Sequence, residues 1–174
     1  MDVLAEAARQ VVAIRSDVHF LIVGARYSNK REAVEYESQL QNEVACAPLA
    51  GRVHFLGIRN DIEHLLNEAT ILVHAARQEP LGRVLLEAAA AGTPVVATDV
   101  GGTGEILPPE SAAAELVPPD NAPALARAIL HLLDSDELRQ RMSAAARRIA
   151  ETRFDAKQAA DNLAEHYRQV LNAK

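Results

Sequence analysis

Residues 79–102, reading EPLGRVLLEAAAAGTPVVATDVGG, restrict the fold more than any other stretch of the chain. Residues 82–91 are helix formers, and the alanines at 88–91 are small on every face, so the helix can lie close against a sheet. Gly92 stands where a helix C-terminus takes a left-handed residue, and Pro94 then forbids helix continuation. Residues 94–98 follow as a strand apolar on both faces, the pattern of a buried parallel strand.

The same alternation of helix and buried strand runs along most of the chain. Val3, Leu4, Ala7, Ala8, Val11, Val12 and Ile14 recur at helical spacing, and residues 18–23 are a short apolar run ending at Gly24. Residues 31–46 read as a charged helix and 52–56 as a strand ending at Gly57. A short helix at 61–68 and a strand at 70–74 complete the series up to the helix at 82–91. This predicts the α/β class: a Rossmann-like parallel sheet with helices on both faces. Beyond Gly102 the pattern loosens into a last strand at 113–117, closed by Pro118 and Pro119. Helices are expected at about 123–133, 137–151 and 156–171, giving an all-helical tail.

The 174 residues, 49% hydrophobic, suit one globular domain, so residues 1–174 are read as a single unit. With 3% aromatic residues and no Trp, a stacking platform for single-stranded nucleic acid is not expected. A net charge of -6 without a basic run argues in the same direction. Cys46, the one cysteine, excludes an internal disulfide and reads as a small buried hydrophobe. No apolar stretch is long enough to span a bilayer, so the expectation is a soluble, cytoplasmic protein. Doubly wound folds open with a strand, yet this chain opens with a helix. Met1 is therefore expected to be a truncation inside a larger domain, with a first strand and a partner domain missing.

In an open parallel sheet, ligands bind outside the carboxyl ends of the strands, here Gly24, Gly57, the residues after His74, and the loop at 99–104. Each glycine could equally do no more than end its strand. Glu79 precedes the helix that begins near Gly82, and Glu87 lies a little over a turn inside it. Helix N–H groups attract a diphosphate, and carboxylates accept hydrogen bonds from sugar hydroxyls. Arg83 is four residues from each glutamate, so Glu79, Arg83 and Glu87 could alternatively form an exposed charge ladder. A cation in a first helical turn opposes the macrodipole, which favours an anion bound there. His74 reads either as a core or rim histidine or as a residue that reaches the ligand. The histidines show no metal-ligand spacing, and no metal site is expected. Arg147, Arg148 and Lys157 read as a solvated face.

The stretch from Glu79, together with LIVGA at 21–25, RVHFLGIRND at 52–61 and LVPP at 116–119, resembles the C-terminal domain of glycosyltransferase family 4, with the GT-B fold. The likeness runs through nearly the whole chain. Its core is the E-x7-E motif, followed by EA, small residues, G-x-PVVAT and GG. The resemblance implies the donor half of an enzyme that transfers a sugar from a nucleotide-diphosphate sugar to an acceptor hydroxyl, retaining anomeric configuration. It makes Glu79 the catalytic residue that holds hydroxyls of the transferred sugar, with N–H groups around Leu81 and Gly82 reaching sugar and phosphate. Val84 and Leu85 would line the diphosphate end, Glu87 would bind the ribose, and Arg83 is counted among the donor-binding residues. Arg59 matches a position whose backbone contacts the base, Gly24 leaves room for the nucleotide, and Gly101 and Gly102 border the sugar pocket.

The family has Ser where this chain has Ala76, and often Gly where it has Arg26. Its diphosphate-neutralising Arg and Lys lie before the first helix, so the isolated chain is expected to be inactive. The resemblance implies no cofactor; UDP, GDP and ADP sugars are equally open. The partners implied are the donor and an N-terminal acceptor domain, through which any peripheral membrane association would run. The last helix, with Leu163, Tyr167, Val170 and Leu171 as its apolar stripe, packs either on that domain or within its own. Other readings are a free-standing nucleotide-binding or signalling α/β domain, or another GT-B enzyme such as an epimerase or phosphorylase. A phosphorylase would need a cofactor lysine, and Lys30, Lys157 and Lys174 are poorly placed for it.

Overall fold

The structure is a computed structural model that describes residues 2–26 and 28–172; Met1 and Lys174, which entered the sequence reading, lie outside them. In chain order the elements are α1 (Asp2–Ile14), β1 (Phe20–Val23), α2 (Arg31–Val44), β2 (Val53–Gly57), α3 (Ile62–Glu68) and β3 (Leu72–His74). These are followed by α4 (Arg83–Ala91), β4 (Val95–Thr98), α5 (Thr103–Ile106), a 3-10 turn at Pro109–Ser111 and β5 (Glu115–Val117). The tail is α6 (Ala122–Leu133), α7 (Asp136–Arg153) and α8 (Ala156–Asn172).

The alternation read from the sequence is the alternation observed, with shorter strands. Residue 18 belongs to the turn after α1, its N–H bonded to the Arg15 carbonyl, so β1 starts only at Phe20. The expected start at 113 gives way to Glu115 because the Ala113 N–H is taken by Ser111 Oγ. Helix α5 and the 3-10 turn fill the segment where no pattern was visible. Local chemistry explains the sharp boundaries. Gly92 has φ 75° and ends α4 with its N–H on the Ala88 and Ala89 carbonyls. Asn121 and Ser135 cap α6 and α7 with side-chain oxygens.

All strand pairs are parallel, but the sheet is in two pieces: β1 pairs with β2, and β3, β4 and β5 form a separate ladder in that order. The three-stranded piece is covered on both faces. Val95 and Ala97 of β4 face a core with Leu85, Ala88 and Ala89 of α4 and Ala145, Ala146 and Ile149 of α7. Val96, one position out of phase, faces the other core with Val11 of α1 and Leu125, Ile129 and Leu132 of α6. Ala88 and Ala89 pack with Val95 and Ala97 of β4, so α4 lies on the sheet as the composition of residues 88–91 predicts.

The two-stranded piece packs on one face, where Phe20 and Val53 meet Ala8, Val12, Leu40, Val44 and Leu49. Leu21 and Val23, which point the other way, are 53% and 41% exposed. Val18 and Phe20 on one side of the break and Ile71 and Val73 on the other all pack against the same α1–α6 core, so helices hold the two pieces together.

Two sequence expectations are corrected. Cys46 is exposed just beyond the end of α2, its thiol directed at the Asn42 carbonyl, because Leu49 three residues later fills the core there. Arg147 belongs to no merely solvated face, since it crosses from α7 to donate to the Ala91 carbonyl at 2.9 Å, a cation on the C-terminus of α4. Helix α8 lies outside the three cores: none of its residues is buried, and Leu163, Tyr167, Val170 and Leu171 are 57–72% exposed.

Candidate donor site at the carboxyl ends of the strands

Because the strands within each piece are parallel, their carboxyl ends gather on one edge of that piece. At the end of β3 the chain leaves the sheet at His74, loops through Glu79 and re-enters as α4. Two tethers fix this loop. Thr98, 2% exposed at the end of β4, directs its hydroxyl at the carbonyls of Ala76 (2.6 Å) and His74 (3.3 Å). The Glu79 carbonyl accepts from the Gly102 N–H at 3.0 Å.

The Glu79 carboxylate folds back over the entrance of α4. Oε1 accepts from the N–H groups of Gly82 (2.5 Å) and Leu81 (3.1 Å), and Oε2 lies 2.9 Å from Nε2 of His74. The Gly82 N–H, with help from Leu81 and His74 and against the cost of burial, holds the Glu79 carboxyl below its ordinary range. Leu81 and Gly82, expected to present N–H groups to a ligand, thus spend them on Glu79. The N–H groups of Arg83 and Val84, first in the helix, have no intrahelical acceptor and remain available to an anion.

The glycines act by close approach. Gly82 has φ 66°, and a Cβ there would stand 2.8 Å from Ile106 Cδ1. At Gly101, φ 52°, a Cβ would stand 2.2 Å from the Glu79 carbonyl oxygen, so only glycine lets this loop close on Glu79. Gly102 similarly backs onto Pro80. Space around Gly24 is open, with nothing within 4 Å of a Cβ, and its N–H bonds the Gly57 carbonyl.

The remaining sequence candidates separate into distinct places. Leu85 is fully buried, so its side chain anchors the core rather than lining a surface; Val84 is half-buried against the same core. Of the possible charge ladder only half forms: Arg83 lies 3.8 Å from Glu87, both exposed, while Glu79 turns to His74. Arg59, in the loop after β2, makes a two-point ion pair with Asp61 at 2.8 and 2.6 Å, which holds the Asp61 carboxyl low. Glu79, Leu81, Gly82, Gly101 and Gly102 thus meet on the three-stranded piece, whereas Gly24 and Arg59 stand at the end of the two-stranded piece.

Sequence reasoning missed Arg77, Thr98 and Thr103. Arg77 donates to Asp120 and to Asp2, each at 2.7 Å, tying the loops after β3 and β5 to the start of α1. Its guanidinium is the main cause of an Asp2 carboxyl lowered to about 2. A threonine closing an otherwise apolar strand was the available signal for Thr98. Thr103 is fully buried, and its hydroxyl has no hydrogen-bond partner among the described residues. An open groove of about 600 Å³, lined by Thr70, Gly92, Pro94, Arg139 and Arg147, lies at the opposite end of the strands. Its arginines are engaged with the carbonyls of Leu132, Leu133 and Ala91, and it has no part in this site. Among the described residues, no three His, Cys, Asp or Glu side chains are grouped to hold a metal, and no helix is long and apolar enough to cross a membrane.

Residues 1–149 match the family of glycosyl transferases group 1, and the chain belongs to that family. Its fold is that of the C-terminal domain of GT-B glycosyltransferases. It is 28% identical over 176 residues to the putative glycosyltransferase YtcC of Bacillus subtilis, a match covering 98% of this chain and 42% of that protein. Anabaena HepE in complex with UDP superimposes with a TM-score of 0.87 at 28% identity, over 97% of this chain and 45% of that one. The HepE complex with UDP-glucose gives 0.86 at the same identity and coverage. The chain therefore spans under half the length of these two relatives.

Proposed function

We propose that this chain is the nucleotide-sugar donor-binding half of a retaining glycosyltransferase of family 4, acting in the cytoplasm on an acceptor held by an N-terminal domain. One observation carries the reading: a carboxylate held against the N-terminus of α4, in the loop after the carboxyl end of β3. The diphosphate lies against the first N–H groups of α4, the sugar hydroxyls meet Glu79, the ribose meets Glu87, and the nucleotide passes over Gly24 toward the Arg59 loop. HepE, a relative of similar fold, is described with UDP and with UDP-glucose, which supports a nucleotide-sugar ligand here. Fixed dipoles and basic side chains would assist departure of the nucleoside diphosphate while the acceptor hydroxyl attacks from the same face.

The break between β1 and β3 supports a larger parent domain. Helices α1 and α2 lie on one face of β1–β2, and β-α-β crossovers are right-handed. A strand feeding α1 must therefore sit on the edge of β1 away from β2, between β1 and β3, and would join the two pieces into one sheet. The bare stripe of α8 is assigned to the acceptor domain on the same reading.

Thermal denaturation with UDP, GDP, ADP and their glucose and mannose conjugates tests the proposal. Saturation at a hundredfold over Kd adds about 2.7 kcal/mol, a shift of several degrees for one nucleotide that Glu87→Ala diminishes. A well-folded chain, its upstream strand restored, that responds to none of them would refute it.

A further inference from the structure

We propose that His74 is a positioning residue for Glu79, setting the carboxylate oxygen that reads the donor sugar; the inference rests on the donor site proposed above. Glu79 Oε1 is already occupied by two backbone N–H groups, and Oε2 is the oxygen left to face a ligand. His74 Nε2 is the side-chain partner of Oε2, at 2.9 Å, with the two side chains 20% and 18% exposed. A carboxylate only accepts, so Nε2 carries the hydrogen and the imidazole donates. The two cations nearest in sequence turn elsewhere, Arg77 to Asp2 and Asp120 and Arg83 to Glu87, and leave the pair to itself.

The histidine is itself fixed. It is the last residue of β3, in register with Ala97 of β4, and its carbonyl accepts from the Thr98 hydroxyl. The His74–Glu79 bond therefore ties a mobile torsion, the rotation of the carboxylate, to the rigid sheet. Without it, Oε1 stays on the α4 N–H groups while Oε2 loses its direction. The consequence is selective: binding of the sugar weakens, and binding of the nucleotide, which other residues hold, does not.

The test measures calorimetric Kd values of the well-folded chain, its upstream strand restored, for UDP, GDP and ADP and for their glucose and mannose conjugates, in wild type, His74→Leu and His74→Gln. The expected result is a conjugate that binds more tightly than its bare nucleotide. His74→Leu weakens that conjugate about tenfold, the scale of one hydrogen bond to a charged group, and leaves the nucleotide within about twofold. His74→Gln, which keeps an N–H donor, recovers most of the loss. A conjugate Kd unchanged in His74→Leu overturns the positioning role and leaves the donor site standing. An equal loss for nucleotide and conjugate, with a lowered melting temperature, makes His74 a structural residue only. A wild-type chain that binds neither overturns the donor reading and this inference together.

Discussion

The two pieces of the sheet are each built of parallel strands and differ in closure. In β3–β4–β5 every residue of β4 is buried, and helices cover both faces. In β1–β2 the exposure of β1 alternates, and one face of the pair is bare. The well-built piece carries the glutamate, the glycines and the α4 entrance, while the open piece carries Gly24 and Arg59. Precision at the site follows from this: the Glu79 loop is tethered to a fully buried strand, whereas the loops on the other side are tethered to an edge.

Core substitutions give the largest contrast. Leu85→Ala, at a fully buried position, is expected to cost about 2–5 kcal/mol, while Leu21→Ala, at a position 53% exposed, should stay within about 0.5 kcal/mol by urea denaturation. Equal losses would break the comparison. Glycine substitutions sharpen it. Gly101→Ala meets the Glu79 carbonyl and is expected to cost about 2 kcal/mol or more and to remove donor binding. Gly24→Ala, with open space around it and φ 117°, carries backbone strain alone, about 1 kcal/mol.

Acid should act on both sides of the molecule, because Asp17 and Asp61 beside the open piece are lowered as well as the carboxyls on the site side. Asp2 has a carboxyl lowered from 3.8 to about 2, and Glu79 is lowered from 4.5. In both, the unfolded chain binds protons first, so their stabilisation is complete above the ordinary carboxylate range and lost as pH falls through the folded values. Melting temperature should therefore decline from about pH 4.5 toward pH 2, less steeply in Asp2→Asn and Glu79→Gln. The smallest effect is expected at Thr103→Val, which replaces a buried hydroxyl lacking a partner with an apolar group of the same shape. It should be neutral or stabilise by up to about 1 kcal/mol in the same denaturation assay.

The elements were legible because hydrophobic period and punctuation agree: Gly92 and Pro94 fix the end of α4 and the start of β4 from local chemistry alone. The pair Glu79 and Glu87 was legible as a motif. What the glutamates touch was not, since the Glu79 contacts with His74 and Gly82 depend on a loop folded by Thr98 and Gly101 from another strand. Helix α5 and the 3-10 turn span too few residues to show a period. The break in the sheet is a matter of strand order, which periodicity does not encode. The exposure of Cys46 escaped for a related reason: burial there is decided by which of several apolar residues after α2 reaches the core, and Leu49 does.

Residue-resolved amide hydrogen exchange tests the open and closed halves most directly. Phe20 and Leu72 bond toward β2 and β4, so the N–H groups of Leu21, Val23 and Val73 point into the break. The expected result is rapid exchange at Leu21, Val23 and Val73, intermediate protection at Phe20 and Leu72, and the slowest exchange in β4. Protection of Leu21, Val23 and Val73 equal to that of β4 would contradict the account, because it would mean that the sheet is already closed.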